Sequence, residues 1–206
     1  MNFDEVKEIV GISDKRVRQV NTRLHRSLYS SIDWSNRLIS VKGPRGVGKT
    51  TMLIQRMREG FPDREKTLYV SLDNLWFATH SLRDLVKYHV DHGGTHLFVD
   101  EVHYLNNWQT LIKNLYDDFP ELSIVYTGSS LLKIDYRQGD LSRRQVVHSL
   151  PGLSFREYLA FEGLLEYPIL PLAEVLANHV RIAQGIAEKI KVLGVFDKYL
   201  TRGYYP

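Results

Sequence analysis

One short stretch constrains the fold of this 206-residue chain more than any other. The sequence VKGPRGVGKTTML, residues 41–53, places three glycines between an apolar run and a run with helical character. Glycine adopts backbone conformations that other residues avoid, so this stretch predicts a strand joined to a helix by a tight loop. A strand–turn–helix junction of this kind is typical of α/β proteins.

The rest of the chain repeats the alternation of strand and helix. Runs that are apolar at every residue are typical of strands covered on both faces, and they alternate here with amphipathic segments. The predicted strands are residues 37–41, 67–72, 96–101, 122–128 and 145–150. The predicted helices are residues 1–30, 49–60, 82–90, 108–119, 154–163 and 172–193. We therefore predict an α/β fold with a parallel sheet, helices on both of its faces, and further helices at the C-terminal end.

The glycine-rich stretch fits the pattern G-x-x-x-x-G-K-[ST], the Walker A motif or P-loop. Backbone N–H groups that converge on one point, at a helix N-terminus, suit the phosphates of a nucleotide. Lys49 is predicted to reach the β- and γ-phosphates, Thr50 to ligate Mg²⁺ and Thr51 to contact the α-phosphate. The predicted nucleotide-binding residues are Gly43, Pro44, Arg45, Gly46, Val47, Gly48, Lys49, Thr50 and Thr51.

Two acids follow the predicted strand HLFVDE. Asp100 is the candidate second magnesium residue, as the Walker B acid, and Glu101 is the candidate general base for an attacking water. The segment VYTGSS ends another predicted strand, where Thr127, Ser129 or Ser130 could sense the γ-phosphate or hold that water. An ordinary polar turn is the alternative explanation of this segment.

Arg143 and Arg144 precede the last predicted strand. The planar guanidinium of arginine binds two oxygens at once, which suits the spread charge of phosphoryl transfer. We predict a catalytic arginine here, with Arg144 as the candidate, while a solvated basic pair explains the same residues equally well.

Composition narrows the choice of compartment and partner. The chain has no cysteine, which favours a reducing compartment, and it shows neither a signal-peptide pattern nor a membrane-spanning apolar stretch. We expect a cytoplasmic protein without membrane contact. The net charge is +3, but residues 1–58 carry 12 Lys and Arg against 5 Asp and Glu. A basic segment can meet nucleic acid, although a solvated helix face and the phosphate loop explain the charge without it.

The motifs together resemble a group of prokaryotic AAA+ (ASCE-type) P-loop ATPases. VKGPRGVGKTTML, LFVDEVHYLNNWQTLIKNLYD, SIVYTGSSLL and LPGLSFREYL occur in the family's order over residues 35–165. The resemblance implies strand order 5-1-4-3-2, Mg-ATP as ligand, and Arg144 at the position of the family's finger arginine. Three residues depart from the family pattern: Gly46 replaces glutamine, Arg143 replaces glycine and Gly152 replaces proline.

The same resemblance implies a division of the chain. Residues 1–34 form an N-terminal helical segment, residues 35–165 the ATPase core, and residues 166–206 a helical segment that leads toward a downstream domain. The chain is therefore expected to be a fragment. An arginine that acts in a neighbouring subunit further implies a homo-oligomer.

The main prediction is an ATPase that hydrolyses ATP to ADP and phosphate. A nucleotide-gated switch or scaffold with little turnover is the main alternative, and Glu101 favours hydrolysis over it. A DNA-associated helicase-like motor is less favoured, because the motif DEVH stands in a chain with one lobe and no helicase motif after it. A small-molecule kinase is also disfavoured, because we find no motif in this sequence for the lid that would cover its substrate. A metal site built from His89, His92, His96 and His103 is disfavoured by their spacing. What hydrolysis drives, whether on DNA or on a protein client, stays open.

Overall fold

The computed structural model describes residues 3–129, 141 and 143–206. Two compact units divide the chain: residues 1–45 with 49–150, and residues 46–48 with 151–206. The helices are α1 Phe3–Gln19, α2 Ser27–Ser31, α3 Lys49–Gly60, α4 Leu82–Asp91, α5 Trp108–Asp118, α6 Phe155–Phe161, α7 Leu172–Ala187 and α8 Val192–Arg202. The strands are β1 Leu38–Gly43, β2 Thr67–Ser71, β3 His96–Asp100, β4 Ser123–Ser129 and β5 Val146–Ser149.

The first unit is built on a five-stranded sheet. Its strands run in the order β2-β3-β4-β1-β5, and every neighbouring pair is parallel. This confirms the predicted fold class and the predicted strand order. Parallel neighbours place the carboxyl ends of β1, β3 and β4 at one edge of the sheet, and β1 and β4 stay in register to Gly43 opposite Ser129. The polar residues that follow these strands therefore share one edge.

The core of this unit explains why the strands are apolar at nearly every position. Each residue of β2 is buried, as are the last four residues of β3, since helices cover both faces. Trp76, Phe77 and Trp108 are between 7% and 9% exposed and belong to the main hydrophobic cluster. They pack in the core instead of presenting a surface for stacked bases.

The N-terminal segment differs from the prediction of one helix over residues 1–30. Helix α1 ends at Gln19 and a short α2 begins at Ser27. The side chain of Gln55 on α3 donates from Nε2 to the carbonyls of Asn21 (2.7 Å) and Leu24 (2.9 Å). These tertiary bonds satisfy carbonyls of the connection that a helix would have paired internally, so helical structure is not needed there.

The second unit contains α6, α7 and α8. A capping box starts α6, because the Ser154 hydroxyl accepts from the Glu157 N–H while the Glu157 carboxylate accepts from the Ser154 N–H. The Tyr199 hydroxyl of α8 donates to the Leu153 carbonyl at 2.6 Å. The predicted helix over residues 172–193 is in fact two, since α7 ends at Ala187 and α8 begins at Val192. None of the helices in residues 3–129 and 143–206 is both long and apolar enough to cross a membrane.

Candidate nucleotide-binding site

The connection between β1 and α3 has the geometry of an anion-binding loop. Gly46 and Gly48 have φ values of 84° and 94°, in the region that favours glycine, and α3 begins directly afterwards at Lys49. Gly43 lies at the end of β1 and is extended, so it needs no such freedom, contrary to the sequence interpretation. The first N–H groups of a helix have no partner within the helix, which makes this end suited to phosphate.

Lys49, the first residue of α3, is buried. It is 5% exposed, and its Nζ donates to the carbonyls of Gly43 (3.0 Å) and Pro44 (2.9 Å). An ammonium group has three N–H donors, and these bonds use two of them. Lys49 therefore holds the start of the loop in place and still has a donor for a phosphate oxygen. Thr51, two residues further along α3, is exposed.

Asp100 is the centre of a compact polar cluster at the end of β3. Its carboxylate is 2% exposed and accepts from three hydroxyls. Thr50 donates to Oδ2 at 2.5 Å, Tyr69 donates to Oδ2 at 3.1 Å, and Thr127 donates to Oδ1. The structure thus brings Thr50 and Asp100, the two predicted magnesium ligands, into direct contact, although they are 50 residues apart in sequence.

The residue types in this cluster fit magnesium. Mg²⁺ is usually held by one or two carboxylates together with hydroxyl, water and phosphate oxygens. Asp100 and Thr50 supply such a pair of oxygens. Within the described residues, no group of three or more His, Cys, Asp or Glu could hold a metal ion, so the histidine site has no geometric support.

Glu101 follows Asp100 in an unusual backbone conformation. Its φ and ψ are 53° and 48°, the left-handed region, which costs a non-glycine residue about 1–3 kcal/mol. The Glu101 N–H donates to the Thr127 hydroxyl at 3.1 Å, and Glu101 Oε2 lies 3.2 Å from His103 Nδ1. The turn directs the Glu101 side chain into a small cavity of about 110 Å³, which is lined by Arg45, Lys49, Asp73, Glu101, His103 and Tyr104.

Thr127 links the two acids to each other. Its hydroxyl donates to Asp100 and accepts from the Glu101 N–H. A hydroxyl has a single proton, so Thr127 cannot donate to a phosphate or a water while it bonds Asp100. Its geometry suits a residue that fixes Asp100 and Glu101 relative to each other, and the sensing role stays a prediction. Ser129 ends β4 opposite Gly43, and Ser130 lies outside the described residues.

Arg144 lies at the other edge of the sheet. It precedes β5, and it donates from Nε to Asp117 Oδ1 (3.0 Å) and from Nη2 to Asp117 Oδ2 (3.2 Å). Asp117 is near the end of α5, the helix that leads away from the carboxyl edge of β3. Since β5 runs parallel to β1, its beginning and the P-loop lie at opposite edges. The structure does not bring Arg144 to Lys49 within one chain, and the neighbouring Arg143 is exposed.

Tyr69 was not singled out by any sequence motif. It stands in the middle of the continuous apolar run of β2, which reads as core. The only signal in the sequence is its hydroxyl, because a buried tyrosine usually finds a partner for that group. Burial, followed by the nearby Asp100 charge, raises the pKa of Tyr69 well above its ordinary value, so this hydroxyl keeps its proton.

Comparisons with known proteins identify the family of this chain. A family model described as "AAA domain" matches residues 35–159. The uncharacterized protein MJ1637 of Methanocaldococcus jannaschii is 36% identical over an alignment of 184 residues that covers 82% of this chain and 38% of that protein. A second uncharacterized protein of the same organism, MJ1544, is 24% identical over 175 residues, covering 83% of this chain and 36% of that protein. The chain thus spans less than two fifths of the length of these relatives.

A solved structure shows the same fold. The S. cerevisiae Hsp104–ADP complex superposes with a TM-score of 0.51 and 17% identity, over 73% of this chain and 25% of that one. At this level of identity the similarity concerns the fold alone. The family model covers more than half of the chain, so the expected membership is confirmed: the chain belongs to the AAA domain family.

Proposed function

We propose that this chain binds Mg-ATP at the P-loop and hydrolyses it to ADP and phosphate. The observation that carries the proposal is the contact between Thr50 and Asp100, 2.5 Å apart at the end of the loop that buries Lys49. Membership of the AAA domain family supports the same ligand. Burying the charged groups of Lys49 and Asp100 costs free energy, and binding of a nucleotide and its metal ion explains why both are buried at one edge of the sheet.

The loop and the cluster divide the task of binding. The N–H groups at the start of α3 and the ammonium of Lys49 meet the phosphate oxygens, because both are positive and held in place. Thr50 and Asp100 would hold the magnesium ion, which when bound neutralises charge on the β- and γ-phosphates. The Thr50 hydroxyl donates its proton to Asp100, which leaves its lone pairs directed away from the carboxylate and available to a cation.

Hydrolysis requires a water to be activated beside the γ-phosphate. In our proposal Glu101 accepts a proton from this water, whose oxygen then bonds to the γ-phosphorus. The bond from the γ-phosphorus to the bridging oxygen breaks, and ADP leaves with the electron pair. The strained backbone of Glu101 and the hydrogen bond from its N–H to Thr127 support its role as general base, since both fix the backbone position from which the side chain extends. Thr127 and Ser129 complete the set of residues that we assign to the catalytic edge.

Arg144 completes the proposal by acting on the site of a neighbouring subunit. Its position before β5, at the edge opposite the P-loop, supports action between chains instead of within one. A homo-oligomer in which one chain offers Arg144 to the next would place a guanidinium against the transferred phosphoryl group. This role predicts slow turnover for the isolated chain, so a nucleotide-gated switch remains the second candidate function.

The decisive experiment compares wild type with Glu101→Gln and Lys49→Ala. The proposal predicts that wild type binds ATP and releases phosphate, that Glu101→Gln binds ATP but releases at most about one hundredth of the phosphate, and that Lys49→Ala does neither. ATP binding by wild type with phosphate release no faster than that of Lys49→Ala would point to the switch instead, and equal release by wild type and Glu101→Gln would exclude Glu101 as the base. Repeating the assay with DNA tests whether the basic N-terminal third binds nucleic acid. DNA should change the rate of phosphate release if nucleic acid is the partner, and should leave it unchanged if the partner is a protein.

A further inference from the structure

The site includes a hydrogen-bonded chain that reaches from the N-terminal helix to Asp100. Arg16 of α1 donates from Nη1 to the Tyr69 hydroxyl oxygen at 2.8 Å, and that hydroxyl lies 3.1 Å from Asp100 Oδ2. Tyr69 is 2% exposed, so water does not compete for its hydroxyl. All three residues belong to the first unit.

The direction of these bonds follows from the donor inventory. A guanidinium has donors only, so Tyr69 must accept from Arg16 and cannot donate back. The single proton of the Tyr69 hydroxyl is therefore left for the Asp100 carboxylate. Arg16 thus determines which way the hydroxyl points, and the hydroxyl in turn occupies one lone pair on Oδ2.

A second contact fixes the helix that carries Arg16. The Tyr69 N–H donates to the Ser13 hydroxyl at 3.3 Å, and Ser13 is 2% exposed. Ser13 and Arg16 are three residues apart, so they lie on the same face of α1. Among the described strands β2 lies at the edge of the sheet, and α1 supplies a partner for the outward N–H of the same tyrosine that bonds Asp100.

We propose that Tyr69 is a positioning residue for the magnesium ligand Asp100, and that Arg16 acts through Tyr69. The inference rests on the proposed function, since it assigns the role toward a bound Mg-nucleotide. Oδ2 accepts from both Thr50 and Tyr69, so the tyrosine holds the carboxylate in the rotamer that faces Thr50. Residues that orient a metal ligand in this way typically change metal affinity by about 10–100-fold when they are lost.

The test measures how nucleotide binding depends on magnesium, using the full chain and a fluorescent ATP analogue. Tyr69→Phe removes the hydroxyl and keeps the ring. We expect the magnesium concentration for half-maximal binding to rise about tenfold, while affinity for the analogue in excess EDTA changes less than about twofold. A purely structural role would lower both affinities together.

Tyr126→Phe is the matched control. Tyr126 lies in β4, is 1% exposed and donates to the neutral side chain of Gln145. The substitution also removes one buried tyrosine hydroxyl from the sheet, but this hydroxyl makes no hydrogen bond to Asp100. The magnesium response of this variant should equal that of wild type. Thermal unfolding of both tyrosine variants checks that the fold is intact.

A double-variant cycle tests whether Arg16 acts through Tyr69. Arg16→Met should raise the magnesium requirement in the same direction, but by less than Tyr69→Phe does. Combined with Tyr69→Phe it should add nothing, because residues in one chain of bonds are not additive. Arg18→Met, a change of an exposed arginine on the same helix, is the control for lost charge.

The outcomes separate this inference from the proposed function. A wild-type chain that binds no nucleotide overturns the proposed function and the inference with it. A wild-type chain that binds nucleotide with magnesium, beside a Tyr69→Phe variant with an unchanged magnesium response, overturns the inference alone. Additive effects of Arg16→Met and Tyr69→Phe would overturn the role of Arg16.

Discussion

At the scale of single residues, the site depends on how one buried carboxylate is satisfied. Asp100 is almost without solvent, and a charged group in that position is stable only if donors surround it. Thr50, Tyr69 and Thr127 provide three hydroxyls from three different elements. The cost of burying the charge is thereby offset, and the carboxylate is held ready for a cation.

Replacing Asp100 with asparagine should uncouple magnesium from nucleotide binding. The amide keeps the shape, but its nitrogen turns a donor toward hydroxyls that also donate. The factor by which magnesium raises nucleotide affinity should be smaller in this variant than in wild type, by about tenfold or more. Loss of charge-assisted bonds should also lower the free energy of unfolding by about 1–3 kcal/mol. Magnesium titrations and urea unfolding measure the two effects, and an unchanged magnesium response would exclude Asp100 as a ligand.

Gly48 should not tolerate a side chain. Its φ of 94° places an added Cβ in a strained conformation, which costs roughly 1–2 kcal/mol. Gly48→Ala is expected to weaken nucleotide binding by about tenfold or more, because the loop must relax out of its phosphate-binding shape. Calorimetric titration of ATP measures the loss.

Gly11→Ala provides the contrast. Gly11 lies within α1, and an added Cβ there would meet no atom within 4 Å. This variant should leave binding unchanged and raise the free energy of unfolding by about 0.5–1 kcal/mol, since alanine is the better helix former. If both glycine variants lost binding equally, the conformation of the loop would not be the cause.

At the scale of elements, the ends of α4 and β3 carry a pH dependence. His89 lies near the end of α4, and His96 begins β3. Burial lowers the pKa of both histidines below the ordinary value, and for His96 the charge of Arg56 lowers it further. The folded chain therefore binds fewer protons than the unfolded chain at mildly acidic pH.

The stability of the first unit should fall as the pH drops below about 6.5, the ordinary pKa of histidine. Above that pH both states hold these histidines neutral and the contribution vanishes. Each histidine costs at most about 1.4 kcal/mol per pH unit. Urea unfolding at about pH 7.5 and pH 5.5 measures this effect. Between these pH values the free energy of unfolding should fall less for the double variant His89→Gln, His96→Gln than for wild type. His179→Gln, which changes an exposed histidine of α7, should behave as wild type.

At the scale of the whole molecule, the position of Arg144 argues for assembly. Its bidentate contact with Asp117 keeps the guanidinium at the edge of the sheet opposite the P-loop. One chain therefore contains the candidate nucleotide site at one edge and a candidate arginine at the other. Identical chains that stack head to tail would bring the two together, which is the heterologous contact that closes into rings.

A mixing experiment tests this arrangement. Arg144→Ala should bind ATP normally but lose turnover by up to about 10³-fold, and Lys49→Ala should be inactive because its own site is empty of nucleotide. A mixture of the two should regain part of the activity, since Lys49→Ala chains supply Arg144 to intact sites. Asp117→Asn breaks the same ion pair while keeping the arginine and should stay active. A mixture that stays inactive would place the arginine outside the reaction.

Local patterns in the sequence determined most of this architecture. The apolar runs at residues 67–72 and 96–101 form buried strands, and the helix after GPRGVG begins and ends where the pattern predicted, at Lys49 and Gly60. These features depend on neighbours in the chain, so they can be read from it. The strand order came from the resemblance to AAA+ proteins, whose combination of motifs is specific to one fold.

Only the tertiary structure decided what surrounds the motifs. The bonds from Gln55 that end the predicted N-terminal helix early, the hydroxyl of Tyr69 at Asp100, and the separation of Arg144 from Lys49 all join residues from distant parts of the chain. No local pattern marks them, because a hydrogen bond across a sheet depends on register and on the packing of helices against it. The pattern of the loop is local, whereas the orientation of Asp100, the candidate magnesium ligand, is a property of the folded molecule.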